Sequence, residues 1–218
     1  MSRGGRPGLP TPAVSVLEVT DLPLDPALVG PAALVAAVRE GEDWARAALY
    51  DRHAPDVARV LHAVLGPDQE VADLIQETFI EVFEAIETLR DVDALAGWMR
   101  QIAVNVARSC IRKRRRMRWL HVLGLTHVVE PAAVVAPPEA RQAIAETYRV
   151  LGELPLDLRV AFSLRHIDGL ELTDVALACG VSLATIKRRL TAAEESFRRH
   201  ARRGGKLDEW LDAGRRTS

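Results

Sequence analysis

ADLIQETFIEVFEAIETLRDVDALAGWMRQIAVNVARSCIRKRRR, residues 72–116, carries two helical patterns of opposite charge joined by one short polar loop. Across roughly 69–89, Val71, Leu74, Ile75, Thr78, Phe79, Val82, Ile86 and Leu89 recur at about 100° per residue and line one face. Asp73, Glu77, Glu81 and Glu84 line the other, with Ile80 among the carboxylates and Phe83 at their margin. An exposed apolar residue is ordinary when it stands alone. Among carboxylates it is also what a protein-docking face looks like. The loop RDVDALAG then leads to a helix expected to begin near Trp98. Met99, Ile102, Ala103, Val106 and Cys110 form its inward stripe, and Gln101, Asn105, Arg108 and Arg112 align on the opposite face. It ends in the run RKRRRMR, Arg112 to Arg118.

Charge is segregated outward from this stretch. Asp68 to Asp93 holds nine acidic residues and one basic residue, Arg90, whereas Ala94 to Val129 holds eight basic residues and no acid. The net charge of −1 therefore hides two blocks that call for two different partners. Lys and Arg gain affinity for nucleic acid by displacing counterions from phosphates. The acidic block would repel DNA, so it faces solvent or a basic protein. A solvated helix face is the competing explanation for either block taken alone.

A length of 218 residues allows one or two domains, and 48% hydrophobic with 27% charged residues is a globular mixture. Aromatics make up only 5%, which favours helices packed through aliphatic side chains. No uncharged apolar run approaches the roughly 18 residues of a membrane span, so no membrane insertion is expected. The opening MSRGGRPGLPTP lacks the apolar core of a secretory signal. Cys110 and Cys179 stand far apart without CxxC spacing, which argues against a disulfide scaffold or a cysteine zinc site and fits a reducing cytoplasm.

The remaining chain divides by pattern. Residues 1–31 contain six prolines and four glycines and read as a flexible extension. Helical spacing runs over 32–119, with breaks at Gly41 and Gly66-Pro67. Residues 120–139, with Pro131, Pro137 and Pro138, read as a flexible linker, and helical spacing resumes over 140–203 with breaks at Leu154-Pro155, Asp168-Gly169 and Gly180. The tail 204–218 has room for a short helix around Trp210. The expected class is all-α, with two small helical domains and no strand alternation.

GLELTDVALACGVSLATIKRRLTAAEESFRR, residues 169–199, has the spacing of a helix-turn-helix. Leu172, Val175 and Ala176 face inward on the first helix, and Ala176 is small where two helices cross. Gly180 turns the chain at no Cβ cost, Val181 plugs the core, and Ser182 is a good N-cap. The next helix buries Ile186 and Leu190 and turns Leu183, Ala184, Lys187, Arg188 and Thr191 outward. A recognition helix reads base edges from such N-terminal positions, while Thr185 and Arg189 suit flanking phosphates. A plain helical hairpin explains the spacing but not the basic outward face.

These motifs together carry a family resemblance. Residues 72–116 resemble conserved region 2 of bacterial sigma-70 family sigma factors, and LGELPLDLRVAFSLRHIDGLELTDVALACGVSLATIKRRL, residues 151–190, resembles region 4. Too few residues lie between for the further domain of primary sigma factors, which points to the extracytoplasmic-function group. The resemblance implies that the acidic helix binds the coiled coil of the largest subunit of core RNA polymerase. Asp73, Gln76, Glu77 and Phe79 match the DLxQExF motif, and Ile80 and Glu81 extend the same face. Phe79, on the core side, is expected to be structural. The resemblance further implies that Trp98, Gln101, Asn105, Arg108, Arg112, Lys113 and Arg115 contact a single-stranded −10 element, with Arg114 and Arg116 also along the phosphates. Trp98 and Asn105 match the W and N of the WLxxIARN pattern, and a buried core role suits Trp98 better than stacking. Ser182, Leu183, Ala184, Thr185, Lys187, Arg188 and Arg189 would meet a −35 duplex in the major groove. An anti-sigma factor is an expected partner. Two departures stand out: Glu194 and Glu195 follow where the family often stays basic, and the loop 90–97 has Val92 and Leu95 without the usual Phe.

Catalysis is not expected. His53, His62, His121, His127, His166 and His200 show no ligand spacing, and no phosphate loop or nucleophile elbow occurs. Neither a metal nor another cofactor is implied. The alternative is an autonomous helix-turn-helix regulator that binds an operator without polymerase. It explains 170–203 but leaves the acidic helix and residues 98–118 idle.

Overall fold

A computed structural model describes residues 29–122 and 137–204 of the chain. Among them the structure is all-α, as the periodicity predicts. The helices are α1 (Pro31–Arg39), α2 (Asp43–Leu65), α3 (Val71–Ala85), α4 (Leu95–Val122), α5 (Pro138–Glu153), α6 (Leu156–Phe162), α7 (Leu172–Cys179) and α8 (Leu183–Gly204). None is long and apolar enough to cross a membrane. The expected linker lies largely outside the described residues, as do most of the N-terminal extension and the tail helix around Trp210.

In the N-terminal half, α2, α3 and α4 pack on one another and α1 packs on α2. Leu49, Leu61, Val64, Phe79, Val82, Met99 and Ala103 fill the space between them. Phe79 stacks obliquely on Tyr50, with ring centroids 4.6 Å apart, so its structural role is borne out by its surroundings. Gly66 ends α2 with φ of 92°, a left-handed value that glycine adopts without strain. α4 begins at Leu95, about one turn before the expected Trp98, because Asp91 caps a 3-10 turn over Val92–Ala94 that feeds directly into it. Asp91, Asp93 and Gly97 interrupt the apolar period here, so the spacing alone gives no sign of this earlier start.

In the C-terminal half, α5 and α8 enclose Val150, Leu151, Leu154, Ala193, Phe197 and Ala201. Phe162 stacks on Phe197 with centroids 4.6 Å apart. α6 runs on into a π-turn over Ser163–Ile167, and Gly169 then reverses the chain. Gly180 adopts the left-handed conformation (φ 66°, ψ 35°) that closes α7, and Val181 N–H donates to the Ala176 carbonyl at 3.0 Å. This is the turn the helix-turn-helix spacing requires.

The halves share one apolar core. Val160, Ala161, Leu164, Val175, Ala178 and Ile186 belong to the same buried cluster as the residues of α2 to α4. α4 packs on α7 as well as on α2 and α3. Its residues 101, 104, 108, 111 and 115 recur at spacings of 3, 4, 3 and 4 and so share a face. Val104 and Ile111 on that face are buried, although the inward stripe read from sequence omits them.

Candidate functional site

α3 presents Asp73, Gln76, Glu77, Ile80, Glu81 and Glu84 to solvent, while Val71, Leu74, Thr78, Phe79 and Val82 are buried. Helical periodicity alone produces this division. Thr78 reaches full burial because its hydroxyl donates to the Leu74 carbonyl at 2.7 Å. Ile80 is 58% exposed in the middle of the carboxylates. Among the described residues no ion pair uses Asp73, Glu77, Glu81 or Glu84. Partial burial, reinforced by Glu77 and Glu84, pushes the Glu81 carboxyl upward. Such a face gains from an approaching cation and from apolar contact at its centre.

The basic face of α4 is divided by register. Asn105, Arg112, Lys113 and Arg116 are exposed. Asn105 Oδ1 accepts from Arg108 Nη1 at 3.3 Å, and Arg112 Nη2 donates to Ser109 Oγ at 2.9 Å. Trp98 is half-buried and packs on the apolar core, the placement that its size favours. Gln101 and Arg108 are half-buried as well. Arg115 donates to the Leu154 carbonyl at 3.0 Å. Arg114 is engaged elsewhere: it pairs with Asp68, and with Glu70 at 2.8 Å, tying α4 to the turn before α3. Five consecutive basic residues, 112–116, thus serve three different surroundings.

Burial alone would raise the Asp68 carboxyl, but the hydrogen bonds from Arg114 and from the Glu70 amide outweigh it and hold it below its ordinary value of 3.8. A depressed carboxyl stabilises the fold above the unfolded value and loses that contribution as pH falls through the folded one. Asp68→Ala is expected to cost about 1–2 kcal/mol at neutral pH. Urea unfolding at neutral pH and near pH 3 should show the gap between variant and wild type closing in acid.

On α8, Ser182 caps the helix by accepting the Thr185 N–H at 3.3 Å, and the two hydroxyls lie 3.0 Å apart. Both are therefore occupied locally. Leu183, Ala184, Lys187, Arg188 and Thr191 are exposed on the outward face, as the spacing predicts, and Ile186 and Leu190 are buried. Arg189 reaches Asp157 at 2.8 Å. Glu194 is met by Arg198 and His166, both at 3.2 Å, so the acidic turn that departs from the family pattern is partly neutralised within the fold. Among the described residues no group of three or more His, Cys, Asp or Glu side chains is placed to hold a metal.

Comparison with known proteins agrees with this geometry. The family model Sigma-70 region 2 matches residues 49–117, and Sigma-70, region 4 matches residues 144–196, together more than half of the chain. The chain is 29% identical over 176 residues to ECF RNA polymerase sigma-E factor of Escherichia coli (strain K12), covering 75% of this chain and 90% of that protein. It is 28% identical over 153 residues to ECF RNA polymerase sigma factor SigE of Mycolicibacterium smegmatis, covering 69% and 59%. Among solved structures, CnrH in complex with the cytosolic domain of CnrY shares the fold with a TM-score of 0.54 at 22% identity, covering 83% of this chain and 96% of that one. RpoE of Bartonella quintana, in a complex with the anti-sigma factor NepR, gives a TM-score of 0.53 at 20% identity and covers 70% and 94%.

Proposed function

The chain belongs to the sigma-70 family of RNA polymerase sigma factors, in the extracytoplasmic-function group, and from that premise we propose how its surfaces divide the work of initiation. As a sigma factor it binds core RNA polymerase and directs the enzyme to promoters. The acidic face of α3, with Asp73, Gln76, Glu77, Ile80 and Glu81, docks the coiled coil of the largest subunit. Residues 32–119 then bring Asn105, Arg108, Arg112, Lys113 and Arg115 to the −10 strand, with Gln101 and Trp98 beside them. Residues 140–203 bring α8 to the −35 duplex. The single observation that carries this reading is that region 2 and region 4 occur in order, each with its working face on the surface: open carboxylates around Ile80, and Lys187 with Arg188 on the recognition helix.

The family is one of initiation factors, and bond making is left to the polymerase. We place the chain in the cytoplasm, where core enzyme and promoter are found. An anti-sigma factor is a further proposed partner, on the family resemblance. Two weak DNA contacts on one chain reinforce each other through effective concentration once polymerase fixes their separation.

Run-off transcription with core enzyme and genomic fragments tests the reading. The expected result is a set of discrete transcripts that appear only when the chain is added. Tight, sequence-specific operator binding without polymerase, and no new transcript, would favour the autonomous regulator instead.

A further inference from the structure

The last turn of α2 offers four carbonyls, and side chains from the C-terminal half approach all four. Tyr148 Oη donates to the carbonyls of His62 at 2.8 Å and Ala63 at 3.2 Å. Arg159 donates to the Val64 carbonyl through Nε at 3.0 Å and Nη2 at 2.7 Å, and its Nη2 lies 3.5 Å from the Leu65 carbonyl. Of the four, the His62 carbonyl also accepts the Gly66 N–H at 2.9 Å, whereas helix ends leave the later carbonyls without intrahelical donors, and a cation there also complements the helix dipole. Arg159 is only 9% exposed. Burial pushes its guanidinium down to about 10, which leaves it charged at neutral pH. The Tyr148 ring lies so near Gly66 that a Cβ at that position would sit 2.9 Å from it.

A second set of contacts engages the DNA-facing side chains. Asp157, on α6, accepts from Arg108 of α4 at 3.4 Å and from Arg189 of α8 at 2.8 Å. Arg115 donates to Leu154, and a Cβ on Gly180 would sit 2.8 Å from Gln101 Nε2. Gln101, Arg108 and Arg115 are three of the residues assigned above to the −10 strand. Arg108 Nε and Arg189 Nη1 are buried without a hydrogen-bond partner, so the carboxylate satisfies these cations only in part.

We propose that α5 and α6 form an intramolecular latch on the N-terminal half, in which Asp157 stands in for the separate DNA phosphates that Arg108 and Arg189 would otherwise meet. A carboxylate accepting from two guanidinium groups offers the same charge-assisted bonding as a phosphate. The inference rests on the reading of α4 and α8 as DNA-facing helices. Strand binding then requires the halves to separate, and the apparent affinity of the free chain is reduced by the fraction that is closed. Leu183, Lys187 and Arg188 stay on the surface, so closure masks the −10 side and leaves the tip of the recognition helix open.

Arg159→Met separates the latch from simple charge. Removing a cation weakens DNA binding if charge alone governs, whereas releasing the latch strengthens it. In the full chain, affinity for a labelled mixed-sequence single-stranded oligonucleotide is expected to rise about tenfold, the scale of losing charge-assisted hydrogen bonds. Energy transfer between dyes on Asp51→Cys and Arg199→Cys, with Cys110 and Cys179 replaced by alanine, is expected to fall in the same variant. Tyr148→Phe keeps charge and ring, and should raise the affinity about threefold. Unchanged or weaker strand binding by Arg159→Met, with unchanged transfer, would overturn the latch. Should that variant lose its helical circular dichroism, Tyr148→Phe decides, and unchanged affinity and transfer in it overturn the latch. Failure of wild-type run-off transcription alongside a clear drop in transfer would remove the promoter role while leaving the closure intact.

Discussion

Core polymerase should bind the Asp73→Arg, Glu77→Arg variant roughly 100-fold more weakly than wild type or worse, because like charges brought together at an interface cost several kcal/mol. Both carboxylates are exposed and stand one turn apart on the face that holds Ile80. Neither touches the packing side of α3, where Val71, Leu74, Thr78, Phe79 and Val82 are buried. Asp73 lies in the first turn, so its reversal removes a favourable interaction with the helix dipole worth about 0.3–1 kcal/mol. That is small beside the interface effect, and circular dichroism should show an intact helix content. Undiminished affinity in a pull-down would remove α3 from the interface.

The second large effect is expected on α8. Lys187→Ala with Arg188→Ala should lower −35-dependent initiation by about 1–3 kcal/mol if either side chain reads a base edge. The pair is singled out because the neighbouring polar groups are already engaged. Ser182 and Thr185 bond each other at the cap, Thr191 Oγ1 donates to the Lys187 carbonyl at 3.1 Å, and Arg189 is held by Asp157. Transcription from templates with altered −35 sequences distinguishes the two modes of contact. A loss concentrated at one base pair means base reading, whereas an equal loss on every template means phosphate contact only.

What could be read from sequence was set by local chemistry. The αL turn at Gly180, the Ser182 cap and the outward basic face of α8 depend on residues a few positions apart, and each stands where its spacing predicts. The acidic face of α3 was legible for the same reason, since a single helical period sorts its carboxylates from its apolar side chains. The π-turn after α6 leaves no comparable trace, because its residues pass for ordinary helix. Nor does sequence say which arginine of RKRRRMR is diverted inward. Arg114 pairs with Asp68 and Glu70 because of the register in which α4 crosses the turn before α3.

The shared core was the least legible feature. Arg159 and Tyr148 bind carbonyls more than eighty positions earlier, and a backbone carbonyl carries no residue-type signature. Val104 and Ile111 look like the margin of an amphipathic helix, yet both are buried in the core shared with the C-terminal half. Charge gives no sign of the second engagement of Arg108 either. Its place among basic residues marks it for DNA, and in the folded chain it also bonds Asn105 and Asp157. The proposed separation of the halves would free it for a strand.

Co-elution of the purified chain with core polymerase on a sizing column, at about 0.1 M salt where exposed charges are not fully screened, probes the division of labour between α3 and the basic helices most directly. One chain should travel with each core enzyme, and the complex should dissolve as salt is raised. Separate elution under these conditions, with the chain folded and the core enzyme active, would contradict the assignment of the acidic face.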